Sequence, residues 1–201
     1  MANSNWPVHT ASKLGWAITI SPTRDQRNAL TSEASSGYPC QQVNEWYKFM
    51  AMSANTHPPV LIIHDLAQAV AALAAAEATS TAIQLESAPG AAGYAGAGWF
   101  AAVIEAARAA HPQARVLAVL DCGAEPGLAL GAIREGVEAI RTQARPAVRA
   151  KIKAIGQAAK VEVLEGKPGP ALDLGTIVPG PRGPKEIEAA ARDYLAKRRP
   201  R

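Results

Sequence analysis

Large aromatic side chains are scarce in this 201-residue chain, at 5% of the sequence, although 48% of its residues are hydrophobic. A core must therefore be built mainly from alanine, valine, leucine and isoleucine. Small side chains let helices approach a sheet closely. Each also buries less apolar area, and burial stabilises a fold by roughly 25 cal/mol per Å². The length suits one domain with additional segments.

The sequence also lacks the usual features of secreted and membrane proteins. Its two cysteines, Cys40 and Cys122, are too few for a disulfide framework in a chain of this length. The apolar stretch at residues 14–20 is short and has no convincing signal-peptide cleavage site. No run approaches the roughly 20 apolar residues that span a bilayer. We therefore expect a soluble, cytoplasmic protein with no membrane partner.

The net charge of +4 does not belong to the central part of the chain. Residues 179–201 contain seven Lys or Arg and three Asp or Glu, which accounts for the whole excess. A short basic tail is usually solvated, so we do not expect nucleic-acid binding.

Residues 1–57 are rich in Ser, Asn, Thr and Gln and show no helical or strand periodicity. This composition predicts a disordered extension. An alternative is that translation starts at Met50 or Met52, so that the preceding segment is not native protein. Peptides from residues 1–49, found by mass spectrometry of the endogenous protein, would exclude that alternative.

From residue 58 onward, short apolar runs alternate with segments of helical periodicity. Strands separated by helices of 10–15 residues are typical of βαβ units, and continuous apolar runs indicate strands that are covered on both faces. The sequence therefore predicts an α/β domain over 58–166, on a mostly parallel sheet of about five strands. The sheet is either doubly wound or an incomplete β/α barrel. The predicted strands are residues 60–63, 81–85, 116–120, 138–141 and 161–164.

The chain after residue 166 has a different composition. Residues 167–184 are rich in proline and glycine, which indicates a linker or an extended surface strap. Residues 185–201 combine an amphipathic helix with the basic tail. This helix is expected to dock on the domain or on a partner.

Polar residues follow the predicted strands at the point where each one ends. Parallel strands deliver their carboxyl ends to one edge of the sheet, and ligands bind in the crevice there. The candidate catalytic residues are Asp121, His64 and Glu86, and the candidate ligand-binding residues at the same edge are Cys122, Gly123 and Arg141.

Several of these residues also have structural interpretations. Asp65, beside His64, is placed to cap a helix. Asp121 could bind loop amides, and Cys122 is small and apolar enough to fill core space. His64, Asp121 and Glu86 are suitable metal ligands, but they lack the close spacing of a metal motif, so no metal site is predicted.

A glycine-rich loop with Gly90, Gly93, Gly96 and Gly98 lies between the second strand and the next helix. Amides at a helix N-terminus can hold an anion, so Gly96 and Gly98 are further ligand-binding candidates. The run from Gly96 to Ala101 fits the dinucleotide fingerprint with alanine in third place, and Asp121 ends the following strand. The bulk of Trp99 and Phe100, and the distance of Gly96 from the preceding strand, count against that interpretation.

One segment resembles a known family. Residues 116–123 (VLAVLDCG) and 128–141 (LALGAIREGVEAIR) are similar to the strand–loop–helix–strand pattern of β/α barrels, particularly the class II aldolases. In those enzymes Asp-His-Gly ends a strand and the histidine binds the metal; here Cys122 replaces it. The resemblance implies half a barrel or a doubly wound sheet, since a full barrel takes about 250 residues. The stretch 60–141 also resembles uncharacterised alanine-rich bacterial proteins.

Two classes of function remain open. The first is the binding of a small molecule at the carboxyl edge, with an anionic group in the glycine loop and catalysis undecided. The second is a non-catalytic interaction protein, a homo-oligomer for instance, that associates through an incomplete sheet edge or the last helix. A dinucleotide-binding domain is a further alternative, and the sequence identifies no specific cofactor.

Overall fold

The computed structural model describes residues 58–178, 180–181 and 183–198. The predictions made for residues 1–57 and for the end of the basic tail lie outside them. In this part of the chain six parallel strands form one sheet. Helices connect the first five strands in succession, whereas residues 166–170 join the fifth strand to the sixth without a helix. The strands are β1 (Val60–Ile63), β2 (Ile83–Ser87), β3 (Val116–Asp121), β4 (Ala139–Thr142), β5 (Glu162–Glu165) and β6 (Ala171–Asp173).

Within the described residues, six α-helices and one 3₁₀ turn accompany the strands. The 3₁₀ turn, Leu174–Thr176, directly follows β6. None of the described helices is both long and apolar enough to cross a membrane. The helices are α1 (Leu66–Thr79), α2 (Ala91–Tyr94), α3 (Ala97–Ala110), α4 (Pro126–Arg134), α5 (Pro146–Ala159) and α6 (Pro184–Ala196).

The strands stand in the order β5-β4-β3-β2-β1-β6, so that β1 to β5 follow their order in the chain. Right-handed crossovers, the general rule for βαβ units, then place every connecting helix on the same face of the sheet. The main core cluster confirms this, because it contains buried residues from all six helices. This winding is that of successive units in a β/α barrel, and it differs from a doubly wound sheet, which has helices on both faces.

Alanine allows close packing in this core. α1 contacts α3 on one side and α6 on the other. Its residues Ala69, Ala72 and Ala75 are fully buried. A helix covered on several sides needs small side chains around much of its circumference, and alanine is also the best helix former. The N-terminus of α1 is capped as expected, since the Asp65 carboxylate accepts a hydrogen bond of 2.8 Å from the Gln68 amide.

The opposite side of the sheet, here called the second face, carries a smaller apolar cluster of Leu117, Val119 and Ala139, with Leu164 packed against it. All four residues belong to strands. Side chains alternate between the two faces along a strand. The residues in register with these positions, Gln84 opposite Leu117 and Glu86 opposite Val119, therefore also project from the second face.

A sixth strand lies inside the segment that was interpreted as a linker or strap. β6 pairs in parallel with β1, so Asp173 lies opposite Ile62. The following helix, α6, packs on α1 and buries Ile187, Ala191 and Leu195. The C-terminal segment is thus part of the sheet and of the core, and of the two placements expected for the last helix the structure shows the one on the domain.

Gly156 lies at a close contact between α5 and the sheet. A Cβ atom at this position would lie 2.6 Å from Val163 Cγ2 and 2.9 Å from the Val161 carbonyl oxygen. Gly156→Ala must therefore push α5 away from β5, and we expect a loss of about 1–3 kcal/mol in the free energy of unfolding. Urea denaturation measures it.

Gly131→Ala in α4 is the matched control, because its Cβ would meet nothing within 4 Å. Alanine in an open helical position should be neutral or stabilising by up to about 1 kcal/mol. Equal effects of the two substitutions would contradict the close contact between α5 and β5.

Candidate functional site

Because all strands are parallel, their carboxyl ends lie along one edge of the sheet. Two polar groups lie at or near this edge. The first, here called the buried polar cluster, consists of Gln84, Glu86, Asp121 and Arg141, which project from the second face. The second is a pair formed by His64, after β1, and Asp173, at the end of β6.

Glu86 and Arg141 form a buried ion pair. The Arg141 Nε donates to Glu86 Oε1, and its second terminal nitrogen donates to Oε2 at 3.1 Å. Gln84 Nε2 also donates to Oε2, at 3.0 Å, and the remaining Arg141 nitrogen donates to the Glu165 carbonyl oxygen at 3.1 Å. Glu86 is 1% exposed and Arg141 is 6% exposed. A bidentate contact of this kind holds both side chains in one geometry.

Burial determines the titration of Glu86. Removal of the carboxylate from water raises its pKa above the ordinary 4.5, and the negative charge of Asp121 acts in the same direction. The Arg141 guanidinium and the Gln84 amide lower the pKa, but they do not offset the loss of hydration. The sequence predicted that Glu86 follows the second strand. In the structure Glu86 lies within β2, because β2 extends to Ser87.

Asp121 ends β3 and binds both the loop that follows β2 and the loop that follows β3. Its Oδ1 accepts hydrogen bonds of 2.8 Å from both the Gly90 and the Gly123 amides. Both glycines have positive φ angles, 70° and 57°, which L side chains rarely adopt. Asp121 is 3% exposed, yet no group among the described residues donates a hydrogen bond to its Oδ2. A buried carboxylate oxygen without a donor is costly.

Cys122 follows Asp121 in the chain but lies on the other face of the sheet, in the main core. Its thiol donates weakly to the Leu120 carbonyl oxygen at 3.7 Å. Burial, and to a smaller extent the charge of Asp121, raises the pKa of this thiol to about 12. Cys122 therefore fills core space and is not a nucleophile at neutral pH.

His64 contacts a different set of residues from the buried polar cluster. Its Nε2 lies 2.8 Å from Asp173 Oδ1, and its backbone amide donates to Gln68 Oε1 at 2.8 Å. Asp173 was not among the sequence candidates, because it lies in the segment interpreted as a linker. The signal that could have found it is the short apolar pair Ala171-Leu172, which ends in Asp173.

The glycine loop contains more structure than expected. α2 forms inside it, so the dinucleotide fingerprint beginning at Gly96 does not directly follow β2. The Gly90 amide is taken by Asp121. Gly96 precedes α3 and provides no side-chain cap. The space beside Gly96 and Gly98 is open, since a Cβ atom added at either position would meet nothing within 4 Å. The first amides of α3 therefore remain the candidate anion contacts of this loop.

The comparisons with known proteins provide no assignment. The sequence matches no protein-family model and no curated protein. Within the described residues, no group of three or more His, Cys, Asp or Glu side chains is arranged to hold a metal ion.

The ion pair leads to a prediction about stability. Arg141→Met leaves Glu86 buried without a counter-ion, and we expect a loss of about 3–5 kcal/mol. Exchanging both partners, in Glu86→Leu/Arg141→Met, should be neutral or stabilising by about 1–4 kcal/mol. Urea denaturation of both variants at neutral pH measures this, and equal losses would contradict it.

The raised pKa of Glu86 adds a pH dependence. The folded protein holds this proton more tightly than the unfolded chain, so the contribution of Glu86 favours folding at low pH. That contribution is lost as the pH rises from 4.5 through the raised folded pKa. The advantage of the double variant over the wild type should therefore grow with pH, and urea denaturation across this range checks it.

Cys122 gives a chemical prediction. With a pKa of about 12 the thiol is ionised to roughly 10⁻⁴ at pH 8. In a Cys40→Ser background, we expect no alkylation of Cys122 by iodoacetamide in the native protein, and full alkylation in denaturant. Rapid native alkylation, read by mass spectrometry, would contradict the burial of this thiol.

Proposed function

We propose that this protein binds a small polar molecule at the carboxyl edge of its sheet, with Asp121 as the central contact. The observation that carries the proposal is the arrangement of the Asp121 carboxylate. Two loop amides hold Oδ1 in place, while Oδ2 has no donor among the described residues. A ligand hydroxyl or amine would satisfy this oxygen.

The charge of the buried polar cluster supports a ligand with hydrogen-bond donors. Glu86 and Asp121 contribute two carboxylates to the cluster, whereas Arg141 contributes one guanidinium, and that guanidinium is bound to Glu86. An anion beside Asp121 would be repelled. If the molecule also carries an anionic group, the favourable place for that group is the N-terminus of α3, where the helix dipole attracts negative charge.

Stability alone does not account for the cluster. A buried ion pair is commonly no more stabilising than apolar side chains of similar volume. The neighbouring strands β2, β3 and β4 nevertheless place Glu86, Asp121 and Arg141 on the second face. β6, on the far side of β1, places Asp173 there, while the main core on the other face is apolar. Binding of a polar molecule explains this uneven distribution. The resemblance to β/α-barrel proteins is consistent with it, since their sites lie at the carboxyl ends of strands.

The alternative functions have weaker support. The last helix, proposed as a surface for self-association, buries its apolar side chains against α1. The other surface proposed for association is an outer sheet edge, and the edge strands β5 and β6 have only four and three residues. A dinucleotide site would require the glycine fingerprint to follow its strand directly, whereas α2 lies between β2 and Gly96.

Thermal denaturation with a panel of polyols, sugars, amino acids and sugar phosphates tests the proposal. We expect at least one compound to raise the melting temperature of the wild type, since a ligand at 100 times its Kd stabilises by about 2.7 kcal/mol. Asp121→Asn should abolish that shift, because one of the acceptor oxygens becomes an amide donor.

The matched control is Asp193→Asn, at an exposed position on α6. This variant should respond to the compound as the wild type does. A shift that survives in Asp121→Asn, or the lack of any shift across the panel, would overturn the proposal.

A further inference from the structure

We infer that His64 is a general base at the carboxyl edge and that Asp173 and Gly175 are its positioning residues. The inference deepens the proposed function and rests on it for the natural ligand. Its test uses a probe that does not need Asp121, so the failure of one proposal is distinguishable from the failure of the other.

Two hydrogen bonds hold the turn that carries His64. The Asp65 carboxylate accepts from the Gln68 amide, and the Gln68 side-chain oxygen accepts from the His64 amide, each at 2.8 Å. Gln68 itself is buried. These reciprocal bonds lock the turn between β1 and α1, so the Cα–Cβ direction of His64 is set by the backbone.

The imidazole ring is held as well. Its Nε2 bonds Asp173 Oδ1, and the same oxygen accepts the Gly175 amide at 2.8 Å. A Cβ atom on Gly175 would lie 2.5 Å from both His64 Cδ2 and Nε2, so the ring packs directly against the backbone of this glycine. The carboxylate fixes one ring nitrogen and the glycine fixes the plane of the ring.

This arrangement determines which nitrogen can react. In the neutral imidazole one nitrogen carries the proton and the other is an acceptor. A carboxylate at Nε2 favours the proton there, which leaves the lone pair on Nδ1. Among the described residues, no group bonds Nδ1. The His64 side chain is 41% exposed, so it is accessible to small molecules.

Large apolar side chains are exposed on the segments that follow β1 and its two neighbouring strands. Leu66, Tyr94 and Val178 are three of the four large exposed hydrophobic side chains among the described residues, and they follow the adjacent strands β1, β2 and β6. β1 is separated from β3 by one strand, which places the His64 loop roughly 10 Å from the strand of Asp121. One small molecule can span that distance.

The proposed step is proton transfer from a hydroxyl group or a water molecule. The O–H bond breaks, its electron pair stays on oxygen, and a bond forms between the proton and Nδ1. The product is an imidazolium ion that still donates its Nε2 proton to the Asp173 carboxylate. The oxygen becomes a nucleophile, and the imidazolium returns its proton to the leaving group or to water.

Hydrolysis of p-nitrophenyl acetate by the full chain tests the reactivity of His64. The reaction consumes one water molecule and gives acetate and p-nitrophenol. We expect His64→Ala to lower the second-order rate constant about 10-fold or more. The matched control is His111→Ala, because His111 also pairs with a carboxylate, Glu77 at 2.8 Å, but follows α3 at the opposite edge. No loss in His64→Ala, or an equal loss in both variants, would overturn the inference.

The tautomer of His64 tests the role of Asp173. ¹⁵N NMR of the wild type should show the proton on Nε2. Asp173→Ala should give a mixture of tautomers, whereas Asp173→Asn keeps an acceptor oxygen and should retain the wild-type tautomer. A purely structural aspartate would change stability without changing the tautomer. A wild-type proton on Nδ1 would refute the assignment, and this measurement needs no variant to fold.

Gly175→Ala tests the packing of the ring. The added methyl group must displace the imidazole, so we expect the rate of ester hydrolysis to fall to that of His64→Ala. Gly169→Ala is the control, since its Cβ would meet nothing within 4 Å, and its rate should equal that of the wild type. A wild-type rate in Gly175→Ala would remove Gly175 from the set of positioning residues.

Discussion

The parallel pairing of β1 to β5 in chain order constrains the rest of the molecule. Each right-handed crossover returns the chain to the same face, so the helices share one core and the second face receives none of the described helices. The same pairing brings every strand to one edge at its carboxyl end. The separation of an apolar face from a face with buried charges therefore follows from the direction of winding.

The two faces differ in their energetics. On the helix side, alanine and glycine let α1 fit between its neighbours and let α5 approach β5 at Gly156. On the second face, the hydrogen bonds between Glu86 and Arg141 compensate in part for the burial of both side chains. The raised pKa of Glu86 shows that this compensation is incomplete. Buried polar groups with perturbed pKa values are typical of functional sites.

Much of this arrangement could be predicted from the sequence. The continuous apolar runs located β1 to β5 within a few residues, and the position of Asp65 predicted the cap of α1. The pairing of Glu86 with Arg141 could not be predicted, because it depends on strand order. β6 escaped prediction for another reason. It has three residues and little local propensity, and pairing with β1 stabilises it. Asp173 was missed with it.

The position of β6 has a consequence for biosynthesis. β1 is the first strand of the sheet to leave the ribosome, but one of its two neighbours lies more than a hundred residues later in the chain. A nascent chain that has reached β5 still exposes one edge of β1 and the side of α1 that α6 will cover. Contacts of such high sequence separation slow folding. The domain can complete its core only after synthesis of its last helix, and until then its exposed apolar surface and free strand edge favour aggregation.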